Sequence, residues 1–263
     1  MFAWKLFAAS LVAFLLCVGD SNAATALARK NEIKLFITAA NTEQALKALK
    51  LDMTRAKKRT VCFFDTAERS LSASHLILRA RQSSKGRTDS TVKLRVGSEP
   101  IELSDAELAI QPEQDWTNEI EPTHSRSLDY DWPVRGLLSE VVAGQQAVIE
   151  LFTQEQQELV KGRMKDLNWA DLRLYGPVEI LIWRKHLKLD GFPEDVTIEL
   201  WNLQKDGKTL DILEVSAKVK AETDQIAKDL ARQFYRAARD AGMGEPTGQT
   251  KTQMVLDFFQ PGR

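Results

Sequence analysis

Three short pieces decide the fold: Arg59-Thr60-Val61-Cys62-Phe63-Phe64-Asp65-Thr66, Leu78-Arg79-Ala80-Arg81 and Thr91-Val92-Lys93-Leu94-Arg95. In a strand, successive side chains alternate between faces, so Arg79 and Arg81 share one side while Leu78 and Ala80 share the other. The same alternation sets Lys93 and Arg95 opposite Val92 and Leu94. Two neighbouring strands of this kind line one surface with cations and back it with hydrocarbon. Such a surface suits an anion that carries several oxygens.

Further elements follow outward from this stretch. Residues 32–37 alternate polar and apolar as a strand does, and Thr42 can cap a helix carrying Ala45, Leu46, Leu49 and Leu51. Strands are expected over residues 60–64, 76–81, 91–96 and 116–121, the last closed by Pro122. Residues 127–133 read as loop and residues 136–164 as mainly helical, with Thr153 as a helix cap. Residues 178–189 read as strand, and residues 196–203 and 210–219 as a hairpin across Lys205-Asp206-Gly207. The clearest helix spans residues 222–241, where Ile226, Leu230, Phe234 and Ala238 recur at helical spacing and Gly242 marks the end. Residues 254–259 read as a final strand. The expected class is therefore α+β, an antiparallel β-barrel of about eight or nine strands with flanking helices, because closure removes every edge. Charges of both signs on the inward parity would make its interior a wet, ligand-lined tunnel.

The order of these pieces resembles the CYTH family, the triphosphate tunnel metalloenzymes. The matching residues are Glu32-Ile33-Lys34, Phe63-Phe64-Asp65-Thr66, Leu78-Arg79-Ala80-Arg81, Thr91-Val92-Lys93, Glu119-Ile120-Glu121, Glu214-Val215-Ser216 and Thr250-Lys251. The resemblance implies that Lys34, Arg79, Arg81, Lys93, Arg184 and Lys251 hold phosphate and that Glu32, Glu119, Glu121 and Glu214 hold a divalent metal, Mg2+ or Mn2+. Glu199 has suitable parity, with its register open. The family's opening strand reads Glu-x-Glu-x-Lys, whereas Lys30 stands here for the first glutamate. Ser216 likewise replaces the second acid of a later Glu-x-Glu. Each change removes metal-ligand charge, so such a site takes phosphate readily and magnesium poorly. Strand by strand, alternating basic residues equally describe the solvated face of an ordinary sheet, and Arg79 and Arg81 paired with Glu119 and Glu121 equally describe a structural network.

Composition narrows the remaining choices. Residues 1–23 have the form of a secretory signal, with Lys5 ahead of an apolar run and Ser21-Asn22-Ala23 at the expected cleavage site. The run falls short of the roughly 18–20 residues of a membrane span, so no stable membrane anchor is expected. The mature chain, 24–263, is read as one exported domain, periplasmic or secreted. Cys62 is then its sole cysteine, so no internal disulfide can form and the fold relies on its core. Formal net charge is −1, which argues against nucleic acid as partner and makes any cationic site a local one. His75, His124 and His186 share no metal-ligand spacing, although His186 beside Arg184 at a tunnel mouth is a candidate acid or base. The resemblance implies a triphosphate or polyphosphate-like anion as partner, bound in the tunnel, with hydrolysis by a divalent metal left open. A non-catalytic anion-binding module and an interaction protein with a degenerate tunnel remain open alternatives. Oligomeric state is not legible.

Overall fold

The computed structural model describes residues 29–38, 40–96, 102–184, 187–244 and 246–260. The expected signal segment and His186 lie outside the described residues. In chain order the elements are β1 (Lys30–Thr38), α1 (Ala40–Ala48), β2 (Lys57–Asp65), α2 (Ser70–Ala73), β3 (Leu76–Ser83), β4 (Arg87–Val96), α3 (Asp105–Leu108), β5 (Pro112–Trp116) and β6 (Thr123–Arg135). There follow α4 (Leu137–Val142), α5 (Gln154–Arg163), β7 (Arg173–Trp183), β8 (Thr197–Lys205), β9 (Lys208–Val219), α6 (Asp224–Asp240) and α7 (Lys251–Phe259). The nine strands close into a barrel in the order β1-β5-β6-β4-β3-β2-β7-β8-β9. Every neighbouring pair is antiparallel except β1 and β5, which run parallel.

Alternation along the strands builds two layers. Outward-facing Leu78, Ala80, Val92 and Leu94 are fully buried beneath Leu138 and Val141 of α4 and Leu159 and Val160 of α5. Outward-facing Ile33, Leu35 and Ile37 of β1 pack under Phe234, Tyr235 and Ala238 of α6. The β8–β9 hairpin turns at Asp206 and Gly207 with φ of 49° and 74°. Two positive φ values match the right-handed twist of the paired strands, and glycine takes the second without a Cβ penalty.

The interior is divided between charge and hydrocarbon. Toward one end, inward-facing Phe36, Val61, Phe63, Ile180, Trp201, Leu203 and Ile212 meet Met254, Val255 and Leu256 of α7, which stops that end with apolar side chains. The remainder of the interior is polar.

Three sequence expectations are corrected here. Residues 254–259 belong to helix α7, which starts at the Thr250 cap where the threonine side chain accepts from Gln253 N–H. A short apolar run carries no clear period, and the cap decides for helix. Residues 127–133 are not loop but lie in β6, the longest strand at 13 residues. Its aspartates and Pro133 hid an alternation of Leu128, Tyr130 and Trp132 against Ser127, Asp129 and Asp131. Residues 116–121 are not a strand: β5 ends at Trp116, and Asn118 then accepts from the backbone N–H of Ile120 and Glu121, folding the chain into a turn.

Candidate functional site

The polar part of the barrel holds a cavity of about 430 Å³ lined by nine lysines and arginines and six carboxylates. Of the residues nominated from sequence, it collects Lys34, Arg79, Arg81, Lys93, Arg184, Lys251, Glu32 and Glu214. Their positions follow from parity. Lys30, Glu32 and Lys34 share the inward side of β1, as Glu214, Ser216 and Lys218 share that of β9. Past Lys34, Arg79, Lys93 and Lys251 the space continues into a recess of about 80 Å³ with Arg95, Thr117, Thr250 and Thr252 on its wall.

Glu119 and Glu121 are not brought there. Glu119 lies in the turn after β5 and pairs with Arg239 of α6, while Glu121 is exposed. The carboxylates that β5 contributes are Glu113 and Asp115. They carry no strand signal in the sequence, because Pro112-Glu113-Gln114-Asp115 has the composition of a turn. Arg59, Asp129 and Lys218 also line the cavity without having been expected there, and Glu199, whose register the sequence leaves open, faces Glu214 on the same wall. Arg59 immediately precedes the strand expected over residues 60–64, and β2 begins earlier, at Lys57, so that Arg59 shares the inward parity of Val61 and Phe63.

The charges fall into two half-walls. On β8, β9, β1 and β5 the acids are neutralised by lysines, Lys34 of β1, Lys93 of β4 and Lys251 of α7. Lys34 Nζ lies 2.7 Å from Asp115 and 3.1 Å from Glu32. Lys93 Nζ lies 3.0 Å from both Glu113 and Asp115. Lys251 Nζ is 3.0 Å from Glu199, contacts Glu214, and sits 4.0 Å over the Trp201 ring. Trp201 Nε1 donates to Glu199 at 3.0 Å. Burial opposes charge on the Asp115 carboxyl, but Lys34 and Lys93 override it and hold the group well below the usual range. Burial also pushes the Glu214 carboxyl up, and neighbouring Glu199 adds to the push against Lys251.

On β3, β2 and β7 the balance is different. Arg81 Nε donates to Asp89 at 2.6 Å, and Arg59 reaches the same carboxylate at 3.8 Å. Arg79 Nη2 donates to Thr91 Oγ1 at 3.1 Å, which in turn donates to Asp129 at 2.6 Å, so no carboxylate faces Arg79 directly. Its Nε is buried with no hydrogen-bond partner among the described residues. Burial, and then the adjacent Arg81, pull the Arg79 guanidinium down to about 10. Arg184, at the rim, comes no nearer than 4.0 Å to Glu199. This wall has cationic capacity to spare and donors aimed inward.

A model of the CYTH domain matches residues 28–252. The chain belongs to the CYTH domain family. Two solved structures share the CYTH barrel. A Bacillus halodurans protein described as a "putative adenylate cyclase" has a TM-score of 0.55 at 10% identity, covering 87% of this chain and 98% of that one. A Hippeastrum "putative adenylyl cyclase", described as having a dominant triphosphatase activity, has a TM-score of 0.51 at 17% identity, covering 86% of this chain and 94% of that one. No curated protein matches this sequence. At such identities the likeness establishes the fold.

The divalent cation that CYTH enzymes use does not fit this donor set. Magnesium needs carboxylate oxygens with lone pairs free to turn toward it. Here Lys34 or Lys93 holds Glu32, Glu113 and Asp115, Lys251 holds Glu199 and Glu214, and the sixth carboxylate, Asp129, stands apart from them and accepts from Thr91. Among the described residues no group of three or more His, Cys, Asp or Glu side chains is placed to hold a metal ion. Cys62 plays no part: it is buried on the outward face, and burial pushes its thiol up to about 12.

Proposed function

We propose that the CYTH barrel binds a triphosphate or polyphosphate chain along the wall formed by Arg59, Arg79, Arg81 and Arg184. The observation that carries this reading is the under-compensated charge of Arg79, with its buried Nε unpartnered among the described residues and beside a second guanidinium. Guanidinium forks match pairs of phosphate oxygens and keep their charge, which makes a row of them suited to a chain of anionic groups. The opposite wall, its acids balanced by lysines, does not repel the ligand. Chain length is then the discriminating property. Tripolyphosphate should raise the melting temperature of the protein, pyrophosphate should raise it less, and orthophosphate should leave it unchanged; equal shifts for all three would contradict the reading.

Hydrolysis of the bound chain is the second reading, favoured by the triphosphatase activity described for the Hippeastrum protein. Release of phosphate from tripolyphosphate decides it. The leader expected over residues 1–23 adds a preference for inorganic polyphosphate, since nucleoside triphosphates are scarce outside a cytoplasm. An N-terminus at Ala24 in the purified native protein would support export, whereas an intact N-terminus recovered from the cytoplasmic fraction would refute it.

A further inference from the structure

We infer that lysine ammonium groups stand in for the divalent cation in this barrel, so that it takes its phosphate ligand without metal. The inference rests on the phosphate-binding reading above and specifies its chemistry. Glu199 and Glu214 face each other directly across the β8–β9 pair, where two acids on one inward face would ordinarily need a shared cation. Lys251, the first residue of α7, supplies it: its Nζ bridges both carboxylates and is further held over the Trp201 ring. The helix fixes that ammonium in place, because Met254, Val255 and Leu256 anchor α7 in the apolar end of the barrel.

The neighbouring positions reinforce the exchange. Across the β1–β9 pair, Lys34 faces Ser216 and Glu32 faces Lys218, so the two residues that follow Glu214 on its own face add a hydroxyl and a further cation. Lys34 in turn bridges Glu32 and Asp115. A magnesium ion entering here would meet carboxylates already bound to cations and would be repelled by each of those ammonium groups at short range. A phosphate chain meets the reverse: fixed positive groups on one wall, and on the other ammonium groups held in place by the acids behind them.

Two titrations test the inference. The first measures tripolyphosphate binding to the full chain by calorimetry in EDTA and in excess magnesium. Binding in EDTA at least as tight as in magnesium is expected, and binding that appears only with magnesium overturns the inference. The second follows free Mn2+ by electron paramagnetic resonance. Wild type should leave the signal intact, while Lys251→Met, which removes the bridging ammonium from Glu199 and Glu214, should deplete it. Mn2+ uptake by wild type overturns the inference, and a folded Lys251→Met protein that takes up none overturns the part assigned to Lys251. Absence of tripolyphosphate binding under every condition would instead sink the phosphate-binding reading, leaving the manganese titration to judge the lysine exchange alone.

Discussion

Asp115 shows how far single residues in the cavity depend on one another. It bridges Lys34 and Lys93 and is held in its charged form by both, in the order Lys34 then Lys93, against the effect of burial. Asp115→Asn takes one carboxylate from each of two buried ammonium groups, leaving Lys34 with Glu32 and Lys93 with Glu113, and a cost of at most roughly 3–5 kcal/mol is expected at neutral pH. Because the folded-state value is depressed, this stabilisation is fully present above the unfolded carboxyl value of about 4 and fades as pH falls below it. Denaturant titrations of wild type and Asp115→Asn should therefore differ widely at pH 7 and converge in stronger acid. A constant difference across that range would contradict the assignment. Arg79 carries the other residue-scale prediction. Arg79→Lys keeps the charge and loses the planar fork, so tripolyphosphate should bind about tenfold more weakly, ~1.4 kcal/mol. Unchanged affinity would mean that the guanidinium geometry is not used. Arg79 was legible from alternation alone, because Leu78 and Ala80 mark the opposite face. Asp115 was not, since nothing in a polar pentapeptide beginning with proline announces a strand.

At the scale of elements, alternation was legible wherever one face is hydrocarbon. β3 and β4 present Leu78, Ala80, Val92 and Leu94 to α4 and α5 as expected, all fully buried. Leu94→Ala should cost about 2–5 kcal/mol, measured by chemical denaturation, because the helices over it can close the gap only partly. A cost below ~1 kcal/mol would mean that this layer repacks freely. The β8–β9 hairpin and α6 were equally readable, one from its Asp206-Gly207 turn and the other from apolar spacing over 17 residues. Two elements escaped because their signals were local rather than periodic. The Asn118 side chain ends one strand and moves the acids after it, Glu119 and Glu121, to the surface. The Thr250 cap turns an apolar run into α7. The expected number of strands agrees with the observed nine partly by compensation, since the sequence hides β6 and gives α7 the look of a strand.

The whole molecule turns a nearly neutral chain into a strongly polarised interior. Barrel closure sets β3, β2 and β7 side by side and β8, β9, β1 and β5 side by side, and this order separates spare arginines from self-balanced acids. Neither half-wall is visible in composition, because the separation depends on which strands neighbour one another. The apolar end stopped by α7 gives the cavity a floor and places Lys251 where it bridges two acids. The central claim is that the arginine wall captures a phosphate chain. Calorimetric titration of tripolyphosphate into wild type and into Arg79→Ala/Arg81→Ala tests it most directly, with circular dichroism confirming that the variant keeps its fold. Binding by wild type that is lost in the folded variant is the predicted result. Wild type that takes up no tripolyphosphate, or a folded variant that binds it as tightly as wild type, would contradict the claim.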